Sequence, residues 1–218
     1  MEPICLIHTP FPEKFGVPRQ SLLIEEAWGK MTFPKNDFYL EAFRGIEESS
    51  HLWLIFEFHE VHGPFNGLVR PPRFLNKKKM GVYATRSPHR PNRLGLSVVK
   101  LDKLEVLDKE IQLWVKGVDL VDGTPIFDIK PYVPYVDSIK ARSPFGDKPD
   151  FYPVKWLCEK VPESELIEKV IALDPRPGQD KESEEEYGVS IAGYNVKFRF
   201  SEDVFKITSI KALTNSQF

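Results

Sequence analysis

Apolar positions along this chain come in short runs separated by proline, glycine and charged turns, a spacing that predicts strands rather than long helices. Ile4-Cys-Leu-Ile-His8, closed by Thr9-Pro10, predicts an opening strand, and residues 12–20 read as a loop. His51 to Phe58 is almost continuously apolar and predicts a central strand buried on both faces. Gly95–Leu107 and Glu110–Val121 predict two further strands, joined as a hairpin through Asp108-Lys109. In the second, Ile111, Leu113 and Val115 alternate with Gln112, Trp114 and Lys116, so one face is apolar. No long helical periodicity precedes residue 150. Strands at short intervals with Pro/Gly-rich turns point to a closed or nearly closed antiparallel sheet.

Beyond Ser143 the pattern changes. Residues 144–150 read as a linker. Glu163–Leu173 predicts a helix: Pro162 stands at its start, Glu163 and Glu165 suit the N-terminal dipole, and Leu166, Ile167, Val170 and Ile171 share one face. Asp174-Pro-Arg-Pro177 stops it, the acidic residues 179–186 are expected to be mobile, and a last hairpin runs through 195–200 and 204–212. The expected architecture is mainly β: an antiparallel barrel over residues 1–143 and a small α+β domain over 144–218.

Composition narrows the class. Of 218 residues, 41% are hydrophobic and 28% charged, which suits a globular protein with a real core. Cys5 and Cys158 stand alone, without metal-ligand spacing, so reduced thiols and no metal are expected. No run reaches membrane-spanning length and no secretory signal is visible, which predicts a cytoplasmic protein without membrane partners.

Charge changes the picture more. The chain carries 30 basic and 32 acidic residues, yet from Val61 to Leu101 there are nine Lys/Arg and no Asp or Glu. Such a segment makes a local field that attracts phosphate, unless it is only a solvated basic loop. Arg86, Arg90 and Arg93 are spaced by Pro88 and Pro91, which stiffen the backbone between the cationic forks. Downstream, Asp122-Gly123 signals a tight turn and Thr124-Pro125 fixes the exit from it, either as a plain hairpin loop or as a rigid ligand-binding one.

Taken together and in order, several motifs resemble the tRNA N6-threonylcarbamoyladenosine methyltransferase family. They are Arg86-Ser-Pro-His-Arg-Pro-Asn92, Gly95-Leu-Ser97, Asp119-Leu-Val-Asp-Gly-Thr-Pro125 and Asp128-Ile-Lys-Pro-Tyr132. Glu13 to Gln20, Ser50 to Trp53, Val69 to Arg73, Asp174 to Pro177 and Tyr194 to Val196 extend the likeness along most of the chain. Arg93-Leu94 departs from it, since Pro-Ile is expected there in many members. The resemblance implies a TsaA-like six-stranded β-barrel that takes S-adenosylmethionine without a Rossmann domain, and none of the thirteen glycines forms a G-x-G pair. It implies a donor site at Gln20, Ser21, Leu22, His59, Glu60, Arg86, Leu96, Asp122, Gly123, Thr124 and Pro125. Arg86 would meet the methionine carboxylate, and the turn at 122–125 would offer backbone groups to the adenosine end.

The implied reaction is methyl transfer to the N6 of a threonylcarbamoylated adenosine beside the anticodon of a tRNA, by a homodimer. His59 is the candidate general base, Tyr132 and Tyr135 are weaker ones, and His8 and His51 are expected to be structural. RNA contacts are expected from Arg70, Arg73, Lys77, Lys78, Lys79, His89, Arg90 and Arg93, with Phe74 and Tyr83 as candidates for stacking or for the core. The C-terminal domain is a further candidate contact for the tRNA. Two alternatives remain: a non-catalytic RNA-binding barrel, and a methyltransferase of the same fold acting on a small metabolite.

Overall fold

The computed structural model describes residues 2–63, 65, 67–69, 79–142, 145, 149–176 and 185–213. Arg70, Arg73, Phe74, Lys77 and Lys78, most of the expected linker and most of the acidic segment lie outside them.

Within the first domain come β1 (Cys5–His8), β2 (Trp28–Pro34), the short helix α1 (Asp37–Ala42) and β3 (His51–Glu57). A two-residue pair follows, β4 (Leu68–Val69) with β5 (Met80–Gly81). Then come β6 (Leu94–Val106), β7 (Glu110–Lys116), β8 (Thr124–Pro131) and a single turn of helix, α2 (Pro134–Asp137). Six strands close a barrel in the order β1-β2-β7-β6-β3-β8. Every neighbouring pair is antiparallel, as the alternating pattern of β7 requires.

Burial along β2, β3 and β7 alternates strictly, which is how a barrel wall presents one face to its interior. This corrects the expectation for His51–Phe58. Leu52, Leu54 and Phe56 fill the interior, whereas His51, Trp53, Ile55 and Glu57 remain half-buried on the outside. The continuous apolar run reflects outer-wall contacts instead: Trp53 packs against Tyr132 with the rings tilted and donates its Nε1–H to Asp137 at 3.0 Å. Gly95 lies opposite Phe56, and a Cβ there would stand 2.3 Å from the Phe56 ring, so the ring fills the space a side chain would take.

The second domain has β9 (Val154–Trp156), α3 (Ser164–Ala172), β10 (Tyr187–Ile191), β11 (Tyr194–Ser201) and β12 (Val204–Ala212). Its sheet runs β10-β11-β12-β9, with β9 parallel to β12. The apolar stripe expected on the helix is buried: Leu166, Ile167, Val170 and Ile171 all lie in the core. Glu202 and Asp203, both with positive φ, make the final hairpin turn.

The two domains meet on the long β1–β2 loop. Ala192 N–H donates to Pro10 O at 2.7 Å, Ser190 N–H donates to Glu13 Oε1 at 2.9 Å, and Lys169 pairs with Glu26. Gly16 fits only without a side chain, since a Cβ would lie 2.6 Å from Val189 Cγ2. Deepest at the junction is Arg176, 2% exposed, held by Asp174 at 2.8 Å and set against Phe200 and Phe205. A cavity of about 150 Å³ lies between Lys14–Arg19 of this loop and the end of α3. It does not involve Arg86 or Asp122.

Candidate active site at the barrel mouth

The register places three connections at one end of the barrel. Ile7 pairs with Thr124, Trp28 with Lys116, and Glu57 with Leu94, so β1, β3 and β7 finish where β2, β6 and β8 begin. The loops 9–27, 58–93 and 117–123 therefore all open at this mouth. Gln20, Ser21 and Leu22 lie in the first, His59, Glu60 and Arg86 in the second, and Asp122 and Gly123 in the third. Tyr132 and Tyr135 follow the end of β8 and stand at the far end, so within one chain they are remote from the mouth.

Direct bonds tie the loops together. Arg86 Nη1–H donates to Gln20 Oε1 at 2.5 Å, and Lys14 Nζ donates to Glu60 O at 2.5 Å. Leu22 N–H donates to Gly117 O at 2.8 Å, with Leu22 itself at φ 60 and Gly117 at φ 76. A left-handed leucine is uncommon and costs energy, so the surrounding contacts must hold it there. Gly117 is required: a Cβ would come 2.6 Å from Leu22 Cδ2.

The turn at 122–125 is tighter than expected. Asp122 N–H donates to Phe11 O at 2.8 Å, Gly123 N–H to Ile7 O at 2.9 Å and Thr124 N–H to Val121 O at 3.3 Å. These amides are engaged, so what the turn can offer a ligand comes through carbonyl oxygens and side chains. Asp122 Oδ1 accepts Thr9 N–H at 2.8 Å and faces His8 Nδ1 at 3.3 Å. His8 is thus no core histidine: its side chain is 54% exposed, at the rim. His59 is half-buried, and no hydrogen bond from its side chain to another described residue fixes its orientation. Leu96 points outward, 54% exposed, whereas its neighbour Ser97 points into the barrel.

Asp119 is the residue that sequence reasoning passed over. It sits between the end of β7 and the turn, and its Oδ1 is buried without a hydrogen-bond partner among the described residues. Burial pushes its carboxyl up to about 6. The Ser97 hydroxyl, the Asp119 and Ser21 amides and the Arg86 charge oppose that rise. One carboxylate therefore links all three loops and β6. The signal was present in the motif Asp119 to Pro125, but only its second aspartate looked like a turn residue.

Comparison with known proteins agrees with this architecture. The tRNA-methyltransferase O N-terminal domain model matches residues 6–138, and the TrmO C-terminal domain model matches residues 157–213. The chain is 35% identical to the tRNA (adenine(37)-N6)-methyltransferase of Escherichia coli, over 96% of this chain and 97% of that one. The chain belongs to the tRNA-methyltransferase O family. It is also 38% identical to a putative S-adenosylmethionine-dependent methyltransferase, RcsF, of Pseudomonas aeruginosa, over 96% of both. A crystal structure of TrmO from Pseudomonas aeruginosa superposes with a TM-score of 0.77 at 36% identity, covering 97% of this chain and 98% of that one.

Within this family frame the basic segment divides. Lys79 and His89 are exposed. Arg90 turns back on its own loop: its Nη1 donates to Thr85 O at 2.9 Å and to Ser87 O at 3.3 Å. That bond set shapes the loop that presents His89. Arg93 has φ 53, and its carbonyl accepts Phe58 N–H at 2.8 Å. Proline cannot adopt that φ, so the departure from Pro-Ile comes with a local backbone of its own. Among the described residues no group of three or more His, Cys, Asp or Glu is placed to hold a metal ion. No described helix is long and apolar enough to cross a membrane.

Proposed function

We propose that the protein transfers a methyl group from S-adenosylmethionine to the N6 of adenosine 37 in tRNA, in its threonylcarbamoylated form, at the barrel mouth. The observation that carries this is the convergence of the three loops, with Arg86, the Gln20–Leu22 strip and the 122–125 turn, at one end of a barrel of the matching family. The donor supplies an already activated methyl, so the protein's task is placement rather than strong acid–base work.

The residues fit such a donor. Arg86 is exposed and offers a guanidinium to a carboxylate. Leu22, 40% exposed, gives apolar surface beside it. The turn contributes oxygen acceptors and the Asp122 carboxylate. The buried Asp119 oxygen, unpartnered among the described residues, supports this reading as a free acceptor. The N6 proton must leave during or after attack, and His59 and His8 stand at this mouth to take it. Phosphates are met by the basic segment of the second loop, including Arg70, Arg73, Lys77, Lys78, Lys79, His89 and Arg93.

The protein works in the cytoplasm as a homodimer. Leu6 on β1 and Leu96 on β6 are exposed on the outer wall, on either side of β8 and β3, which gives a second copy apolar surface to cover. The deciding test is mass spectrometry of nucleosides from tRNA incubated with the protein and isotope-labelled donor. One labelled methyl on threonylcarbamoyladenosine is expected. No transfer, or transfer to tRNA lacking that group, overturns the assignment.

A further inference from the structure

Three buried side-chain oxygens lack a partner among the described residues, on Glu26, Asp119 and Glu163, and that of Asp119 belongs to the carboxyl that feels the Arg86 charge. Leaving a buried acceptor unmet costs about 1–3 kcal/mol, more when it is charged. Such a deficit is retained where a ligand completes it. Beside it lies a fixed cation, Arg86, whose guanidinium is exposed and engaged by the neutral Gln20. A carboxylate and a guanidinium near enough for one charge to act on the other, each able to take one more partner, are complementary to a zwitterion.

Resting on the donor reading above, we propose that Asp119 receives the α-ammonium of the donor's amino-acid end while Arg86 receives its α-carboxylate. Ser97 and the Ser21 amide bond the carboxyl, and Oδ1 is left for the ligand. In the free protein this oxygen is shut off from solvent. An incoming carboxylate replaces Gln20 Oε1 on Arg86, and the same displacement uncovers Asp119. The strained Leu22 backbone suits a strip that must shift. Two opposite charges also set the direction in which the donor enters, because a reversed amino-acid end would place like charges together.

The test compares two ligands by calorimetric titration near neutral pH: S-adenosylhomocysteine, and the thioether analogue with hydrogen in place of its α-amino group. The native protein is expected to prefer the first by roughly tenfold to a hundredfold, the worth of one charged hydrogen bond. Asp119→Asn, which keeps the shape, is expected to lose that factor for S-adenosylhomocysteine alone and to bind both ligands alike. A second readout needs no variant. In the native protein the preference should shrink as pH falls through about 6, where the carboxyl takes up its proton.

Arg86 is the charged group acting on Asp119, and His8, Asp122, His59, Glu60 and Lys14 are among the other titratable groups at the mouth. Their effect on the adenosine and carboxylate ends is common to both ligands and cancels in the ratio. An unchanged preference in Asp119→Asn, or equal losses for both ligands, overturns the proposal while leaving the donor site in place. A native protein that binds neither ligand overturns the donor reading itself, and this inference with it.

Discussion

Asp119→Asn should make the free protein more stable, by an amount that depends on pH. Burial lifts the Asp119 carboxyl from an ordinary 3.8 to about 6. The folded chain thus holds this proton more tightly than the unfolded one. The sign follows: the stability tied to the proton is fully present below the unfolded value and is withdrawn as pH rises from about 4 through 6. A shift of about two units is worth about 3 kcal/mol once the group is ionised. Asparagine does not titrate and still accepts from Ser97 and Ser21, so it escapes the loss. Urea unfolding of both proteins between about pH 4 and 8 should show a gap that opens by about 3 kcal/mol across that window. In a chain of this size that is roughly 6–12 °C in melting temperature. A gap that stays constant with pH would refute the reasoning, because a packing effect has no reason to follow a titration.

Gly117→Ala should destabilise by about 1–3 kcal/mol, through its φ of 76 and the 2.6 Å approach to Leu22 Cδ2, and should weaken S-adenosylhomocysteine in titration calorimetry. Arg176→Met should cost about 3–5 kcal/mol in urea unfolding by leaving Asp174 buried and unpaired, and Asp174→Asn added to it should recover part of the loss. Binding of tRNA should weaken with salt, with a slope near −3.5 in log affinity against log salt if about five phosphates are neutralised on a single strand, and a flat titration would remove the electrostatic account. Burial pushes the Cys5 thiol up to about 12, so in the native protein it should resist iodoacetamide at mildly alkaline pH and react once unfolded.

The hairpin β6–β7 and the helix α3 were legible because local pattern and turn chemistry decide them. β2 and β8 were not read as strands, for different reasons. Trp28-Gly-Lys-Met-Thr-Phe-Pro34 alternates, but Gly29 and Pro34 blur the pattern, and Gly29 is needed only because Ile7 and Val118 close over it. The 124–131 segment reads as a loop because Pro125 and Pro131 bracket it and a register shift at Ile55/Phe56 breaks its alternation. At the site, the sequence favoured residues with conspicuous chemistry, such as Arg86. Asp119 depends on what surrounds it, and burial is a tertiary property.

The C-terminal domain acquires a physical role from the same contacts. The β1–β2 loop carries the Gln20–Leu22 strip, held on the barrel side by the Leu22–Gly117 backbone bond, the Gln20–Arg86 bond and the Ser21 amide on Asp119. Further restraint on the loop comes from the second domain. Ala192 and Ser190 bond to Pro10 and Glu13, Lys169 pairs with Glu26, and Arg19 Nη2 reaches Asp174 O at 3.5 Å. The buried Arg176–Asp174 pair fixes the Asp174 end of that chain of contacts between Phe200, Phe205 and the end of α3. Damage at Arg176 should therefore be felt twice, as lost stability and as a looser strip. The second effect separates from the first under conditions where the protein is still folded. There, Arg176→Met should weaken S-adenosylhomocysteine, whereas an equally destabilising change at the far end of the barrel, Phe43→Ala, should not.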